Sequence, residues 1–284
     1  MQLTDSKKTS YILTFSVCSI FIGRAWQFIF WDAPYRSFFW DEELLKPLIE
    51  SFCSISWYAY VTSSSTDMFI DELVFYTGLL YAFAAVSCLL LLKHNKKILK
   101  GIVLLGGINL VLLSFLLMKD KFYEWAMFFE HSIQFGLPFV FLYALKSQPK
   151  NLLTIAKLLI AVVFVSHGLY AVGYYPVPGK FVDMVIHVFS FSEEKAKLFL
   201  LVAGGLDFIL AIFIFVPKVA KYALSYAVFW GLLTAFARIV TGFQTDFMWQ
   251  SIHQELHGTL FRLSHGLLPL LALLLENKKE NTSS

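Results

Sequence analysis

Residues 98–118 read ILKGIVLLGGINLVLLSFLLM, a run whose one charge, Lys100, stands near its start. About 20 predominantly apolar residues carry a helix across the hydrocarbon core of a bilayer, and this run supplies them. Working outward, runs of the same kind occupy Tyr11–Phe30, Leu73–Leu92, Trp125–Leu145, Leu152–Tyr174, Ala196–Val216, Tyr222–Val240 and His257–Leu275. None alternates with the period of two that a barrel strand shows, and each is about twice as long as one. The reading is therefore an all-α integral membrane protein of eight transmembrane helices.

Composition supports lipid as the solvent. Of 284 residues, 58% are hydrophobic and only 15% charged, with a mean hydropathy of +0.66. An ordinary soluble domain has roughly 25% charged residues, and apolar surface on this scale would be left exposed in water. The net charge of +3 is small and dispersed, so no nucleic acid is implied. Cys18, Cys53 and Cys88 are far apart in sequence and form no C-x-x-C pair, which argues against dithiol redox chemistry. The first apolar run carries Arg24, Trp26 and Gln27 where a signal peptide has small cleavage-site residues, so it reads as an uncleaved span.

The links between spans alternate in charge. Lys7 and Lys8, then Lys93, Lys96, Lys97 and Lys100, then Lys146 and Lys150, Lys218 and Lys221, and Lys278 and Lys279 all fall on one side. The positive-inside rule makes that side the cytoplasm and places both termini there, in what reads as a bacterial inner (plasma) membrane. The opposite links hold most of the acids, including Asp41, Asp67, Asp71 and Asp183, and six of the seven tryptophans lie near that face as an aromatic belt.

The chain also repeats itself. Glu124, His131, Gln134 and Pro138 follow one another at steps of 7, 3 and 4, and Glu255, Arg262, His265 and Pro269 do so again 131 residues later. The text around them agrees, FGLPFVFLYALK (135–146) beside HGLLPLLALLLE (265–276), as does KILKGIVLL (97–105) beside KVAKYALSY (218–226). The first and fifth spans both leave through aromatic, proline-containing segments, WQFIFWDAPYRSFFWD (26–41) and LYAVGYYPVPGKFVDM (169–184). The expectation is a tandem duplication: residues 1–148 form one four-helix membrane unit and residues 149–284 a second. Four spans per unit make the two repeats parallel. The long external link predicts an interfacial helix within Asp41–Tyr60, with a shorter counterpart over Gly179–Phe189.

Polar residues are costly in lipid, and here they are not scattered. Arg24, Glu130, His131, Gln134, His167, Asp207, Arg238, Arg262 and His265 all fall at mid-depth or in the outer half, whereas the inner half reads as nearly pure aliphatic and aromatic. That distribution predicts a polar cavity open toward the outer face. Steps of 7, 3 and 4 keep the paired stripes on one side of their helices. Each stripe includes a proline that frees the carbonyl four residues earlier, at Gln134 and at His265. One reading has these groups capping each other's kinks; the other makes them a ligand pocket. Asp207, beside Gly204 and Gly205, is open to an ion pair with Arg24, Arg238 or Arg262, or to a protonatable role. His253, Glu255 and His257 form H-x-E-x-H, which is not the H-E-x-x-H zinc motif, and no metal site is assigned.

FVSHGLYAV (164–172) and GGLDFILAIF (204–213) resemble the DoxX-like four-helix membrane family, a broad group of small quinone-, lipid- or redox-associated proteins. The resemblance covers about a third of the chain and implies a four-helix unit with His167 and Asp207 at its polar positions. The first unit matches less closely: Arg24 stands where His167 does, and Leu80 replaces the acid.

The functional expectation is a polar, outward-facing cavity that binds a small amphipathic ligand, a quinone or a lipid, in a binding or redox-associated membrane subunit. The candidate ligand-binding residues are Arg24, His131, Gln134, His167, Asp207, Arg262 and His265. A secondary transporter is the rival reading, and a structural partner docking through the Trp31–Tyr60 loop a third. No catalytic residue or cofactor is read from the sequence, and no nucleotide loop, haem attachment motif or serine-hydrolase elbow occurs in it.

Overall fold

A computed structural model describes residues 7–145 and 151–283, with side chains described as far as 279, and all regular elements among the described residues are helical. Lys146, Lys150 and the unit boundary at 148 lie outside the described residues. The chain opens with α1 (Lys7–Phe30), followed by three short external helices, α2 (Arg36–Phe39), α3 (Glu42–Leu48) and α4 (Trp57–Val61). Next come α5 (Ser64–Leu91), α6 (Lys97–Asp120), α7 (Trp125–Phe129), α8 (Ser132–Ala144) and α9 (Leu152–Ala171). The rest is α10 (Gly179–Phe189), α11 (Glu193–Phe213), α12 (Ala220–Gly242), α13 (Met248–Arg262) and α14 (Ser264–Ser283).

Seven segments are long and apolar enough to cross a membrane: α1, α5, α6, α9, α11, α12 and the α13–α14 stretch Thr245–Lys279. The predicted span Trp125–Leu145 departs from expectation, because it is divided into α7 and α8 at Glu130 and His131. The 13 residues of α8 extend about 20 Å, short of a full crossing. The external link is likewise several pieces rather than one helix, with a π-helical turn at Ile49–Cys53 between α3 and α4. Its counterpart α10 occupies the predicted residues, Gly179–Phe189.

The two breaks have a common cause. His131 Nδ1 donates to the Met127 carbonyl at 2.8 Å, and the displaced His131 backbone N–H turns to Phe128 O, three residues back. His265 Nδ1 donates to the Arg262 carbonyl at 3.1 Å, and the Gly266 N–H turns to Leu263 O, again three residues back. A carbonyl accepts, so each imidazole carries its proton on Nδ1 and leaves Nε2 as the acceptor in its neutral form. In both places a histidine ring substitutes for one rung of the helical ladder and bends the axis.

Helix α1 lies along α5, and α9 lies along α11. The broken helices cross between these pairs: α1 packs against α13 and α14, and α9 against α7 and α8. A single apolar core therefore runs through residues of both predicted units, from Leu13 and Phe21 to Ile160, Leu224 and Leu271. Close approach of α12 to α14 depends on Gly231, where any Cβ would run into the His265 carbonyl. Outside the spans, Arg36 ties α2 to the start of α5 through Asp67 at 2.8 Å and Asp71 at 2.5 Å. Its hydrogen bonds to those two carboxylates hold the guanidinium above its ordinary range. Asp41, the cap of α3, accepts from Lys119 of α6 at 2.5 Å, and that bond holds its carboxyl below the usual range.

Candidate functional site

Arg24 does not reach out to the membrane surface. It is 3% exposed, donates from its two terminal nitrogens to Gln27 Oε1 and Gln134 Oε1, both at 2.6 Å, and lies 3.9 Å from the centroid of the Phe261 ring. Gln134 thus serves Arg24 on α1 and does not bond His265. Beside this pair sits Glu130, 5% exposed, at the α7–α8 break. Its carboxylate is 3.7 Å from His131 Nε2, 3.8 Å from Arg262 and 4.0 Å from His167 Nε2. These distances exceed hydrogen-bond length, so the group is an electrostatic cluster without direct bonds. A second link between the predicted units is short: Tyr170 OH donates to Glu124 at 2.7 Å.

Next to the cluster lies a cavity of about 270 Å³ bounded by α9 to α14. Most of its wall is apolar, from Phe181, Met184 and Val185 of α10 to Phe199 and Leu200 of α11 and Trp230 of α12. Its polar lining consists of His167, Asp207, Thr234, Arg238, Arg262 and His265. Five of these present a buried polar atom with no hydrogen-bond partner among the described residues: His167 Nε2, Asp207 Oδ1, Arg238 Nε, Arg262 Nε and His265 Nε2. Such atoms are rare in folded proteins; five of the ten found among the described residues belong to side chains that line this void. The cavity's rim residues Val188, Phe189, Leu233, Phe236 and Val240 are exposed apolar side chains, where a bilayer would lie.

The seven candidate residues are therefore divided. His167, Asp207, Arg262 and His265 line the cavity; Arg24, His131 and Gln134 do not, and form the packed wall beside it. All cavity-lining residues fall between 167 and 265, so the void belongs to the second predicted unit and is not shared between the two. The ion pair open to Asp207 is absent: no arginine lies within bridging distance of it among the described residues. Asp207 is 14 residues into α11, about 21 Å from its start, and Arg238 is four residues from the end of α12, about 6 Å from it.

Several groups escaped the sequence reading. Glu130 and Arg238 belonged to the polar set but not to the candidate site; the repeat drew attention to His131 and Arg262 and away from their neighbours. Lys157 and Glu276 form a buried pair at 2.5 Å in the half of the bundle that reads as apolar. Lys157 stands alone in an aliphatic stretch and Glu276 closes another, more than 100 residues away, so no local signal joins them. The H-x-E-x-H residues are engaged separately: His253 is enclosed by Trp26, Phe30 and Trp31, with ring centroids 4.9–5.4 Å away, and Glu255 accepts from Lys180 at 2.8 Å. No group of metal-ligating side chains occurs among the described residues. No protein-family model matches the chain, and no curated protein or solved structure matches it either.

Proposed function

We propose that the protein is a membrane-embedded binding subunit whose cavity takes up a small amphipathic ligand, a quinone or a lipid, from the outer half of the bilayer. The observation that carries this reading is the set of five unpartnered polar atoms on one mostly apolar void with an exposed apolar rim. A buried polar atom left without a partner costs about 1–3 kcal/mol, so a bound group that draws these side chains toward the void and pairs them is favoured. The proposal includes eight crossings, arranged as two parallel four-helix units. A helix break in each unit, at Glu130–His131 and at Leu263, within two residues of the position the repeat matches, supports that arrangement. It also includes a DoxX-like origin for the second unit, supported by the direct contact of its two motif helices, in which Gly168 of α9 faces Gly204 of α11. Both termini lie in the cytoplasm of a bacterial cell in this reading, and a redox protein is a fitting partner.

Native mass spectrometry of the gently extracted protein tests the ligand. A retained amphiphile is expected in the wild type and not in Ala237→Trp, which fills the cavity from α12. A bare wild-type protein, extracted under conditions that keep annular lipid on other membrane proteins, would sink the reading. Orientation is tested separately with Ser64→Cys and Ser283→Cys in a chain lacking its native cysteines. The two are expected to react oppositely with an impermeant thiol reagent, and equal labelling in sealed cells contradicts eight crossings.

A further inference from the structure

The head group of that ligand is constrained by the charges around the cavity. Glu130 is the acid in the field of all three guanidinium groups, Arg24, Arg238 and Arg262. It is 3.8 Å from Arg262, and Arg24 is already engaged by two amide oxygens. Glu255, the next carboxylate toward Arg238, is held by Lys180 at 2.8 Å. Asp207 lies near Tyr226 and makes no ion pair with Arg238 or Arg262 among the described residues. The outer end of the cavity therefore has more positive charge than its own acids balance, in a setting of low dielectric where an uncompensated cation is costly. Both arginines line the void, and each has a buried Nε without a hydrogen-bond partner.

Resting on the cavity reading above, we infer that the site selects a single-chain amphiphile with an anionic oxygen head, a carboxylate or a phosphate. The head sits on Arg238 and Arg262, and the chain runs between α10, α11 and α12 toward the apolar rim. Guanidinium groups match both oxyanions by paired N–H donation. His265, with its proton engaged by the Arg262 carbonyl, offers a bare Nε2 to any O–H the head carries. A neutral head leaves the cations uncompensated, and a cationic head adds to them.

The test uses the full chain in phosphatidylcholine nanodiscs, with four probes of one chain length: dodecanoate, dodecyl phosphate, dodecanol and dodecylamine. Binding is read by native mass spectrometry across a titration. The anions are expected to bind roughly tenfold or more tightly than the alcohol, the gain of charge-assisted over neutral hydrogen bonds, with the amine weakest. Preference for one anion over the other assigns the head as carboxylate or phosphate. Equal binding of dodecanol overturns the charge inference while leaving the cavity reading intact. Failure of all four to bind overturns both. Arg238→Gln and Arg262→Gln are each expected to collapse the anion-to-alcohol ratio, and an unchanged ratio in both contradicts the seat; the wild-type panel decides the selectivity without either variant.

Discussion

Two corners of the bundle are assembled alike and filled differently. In the first, α1, α5 and α6 enclose a plug of rings: Tyr81 packs on Phe21 and edge-on to Phe28, and Phe28 edge-on to Tyr35. Asn109 accepts from the Tyr81 hydroxyl at 2.6 Å and from Tyr35 at 3.4 Å, so the polar atoms of the plug are paired. In the second, α9, α11 and α12 enclose the void. If Gly78 on Phe28 and Ile29 is matched with Gly204 on Ala171 and Val172, Asp207 takes the place of Tyr81 and Ala171 that of Phe28. An acid and a methyl group then stand where two aromatic rings stand in the first corner. Helices α5 and α6 pack along each other, whereas α11 and α12 touch only sparsely and leave the opening between them. One corner is closely packed and the other encloses a void; in the proposed duplication, one copy would suffice to hold the fold and leave the other open.

The comparison breaks most sharply at its plug. Tyr81→Ala is expected to cost about 3–5 kcal/mol, the usual loss for a buried ring replaced by a methyl group, seen as a large drop in thermal midpoint in detergent. Trp230→Ala, on the cavity wall, is expected to cost clearly less, because the ring already borders empty space on one side. Equal losses at the two positions would mean that the second corner is packed as tightly as the first.

A finer cut separates the two broken helices. Gln134→Leu removes the acceptor of a buried arginine and is expected to destabilise by about 1–3 kcal/mol. His265→Leu deletes an Nε2 that has no partner and one bond to a neighbouring carbonyl, so its loss of stability is expected to be the smaller of the two. Its main effect falls on ligand retention. Denaturation curves and native mass spectra on the same preparations distinguish the two patterns, and a reversed ranking of stability would assign His265 to the scaffold.

The smallest expected effect concerns how each corner holds its external helices. Asp41 is kept below its ordinary range by Lys119, so its contribution is present above the unfolded carboxylate value, near pH 4, and is lost as pH falls through the lower folded value. Wild type and Asp41→Asn should therefore differ slightly in thermal midpoint at pH 7 and converge in acid once the pH is below the lowered folded value. A difference that persists unchanged into acid would assign Asp41 a role independent of its charge.

The sequence made the membrane class legible because twenty-residue apolar runs have no other solvent. It also located α10 to the residue, since a proline-rich exit and a serine–phenylalanine turn bracket it. The broken helices were not legible as breaks: the stripe of Glu124, His131 and Gln134 has helical spacing, and nothing in that spacing says that an imidazole will take a backbone carbonyl. The candidate site was half legible. Intramembrane polarity singled out the residues, but which of them face a void depends on α11 and α12 diverging, and that divergence follows from side-chain volumes distributed over three helices. The matching acid position shows the same limit. Sequence alignment sets Leu80 against Asp207, whereas the helix contacts at Gly78 and Gly204 set Tyr81 there.

The crossing of the broken helices between the two halves bears on how the chain is made. Arg24 enters the bilayer on α1, but its acceptor Gln134 follows 110 residues later and the Phe261 ring that covers it later still. At 5–20 residues per second Gln134 emerges roughly 5–20 s after Arg24, a long interval for a nascent helix. A lone arginine at mid-membrane costs about 2.5–3.5 kcal/mol on translocon scales, so α1 is held poorly by lipid during that time. The lodging of α1 is therefore completed only once α13, which carries Phe261, and α14 have followed it into the bundle.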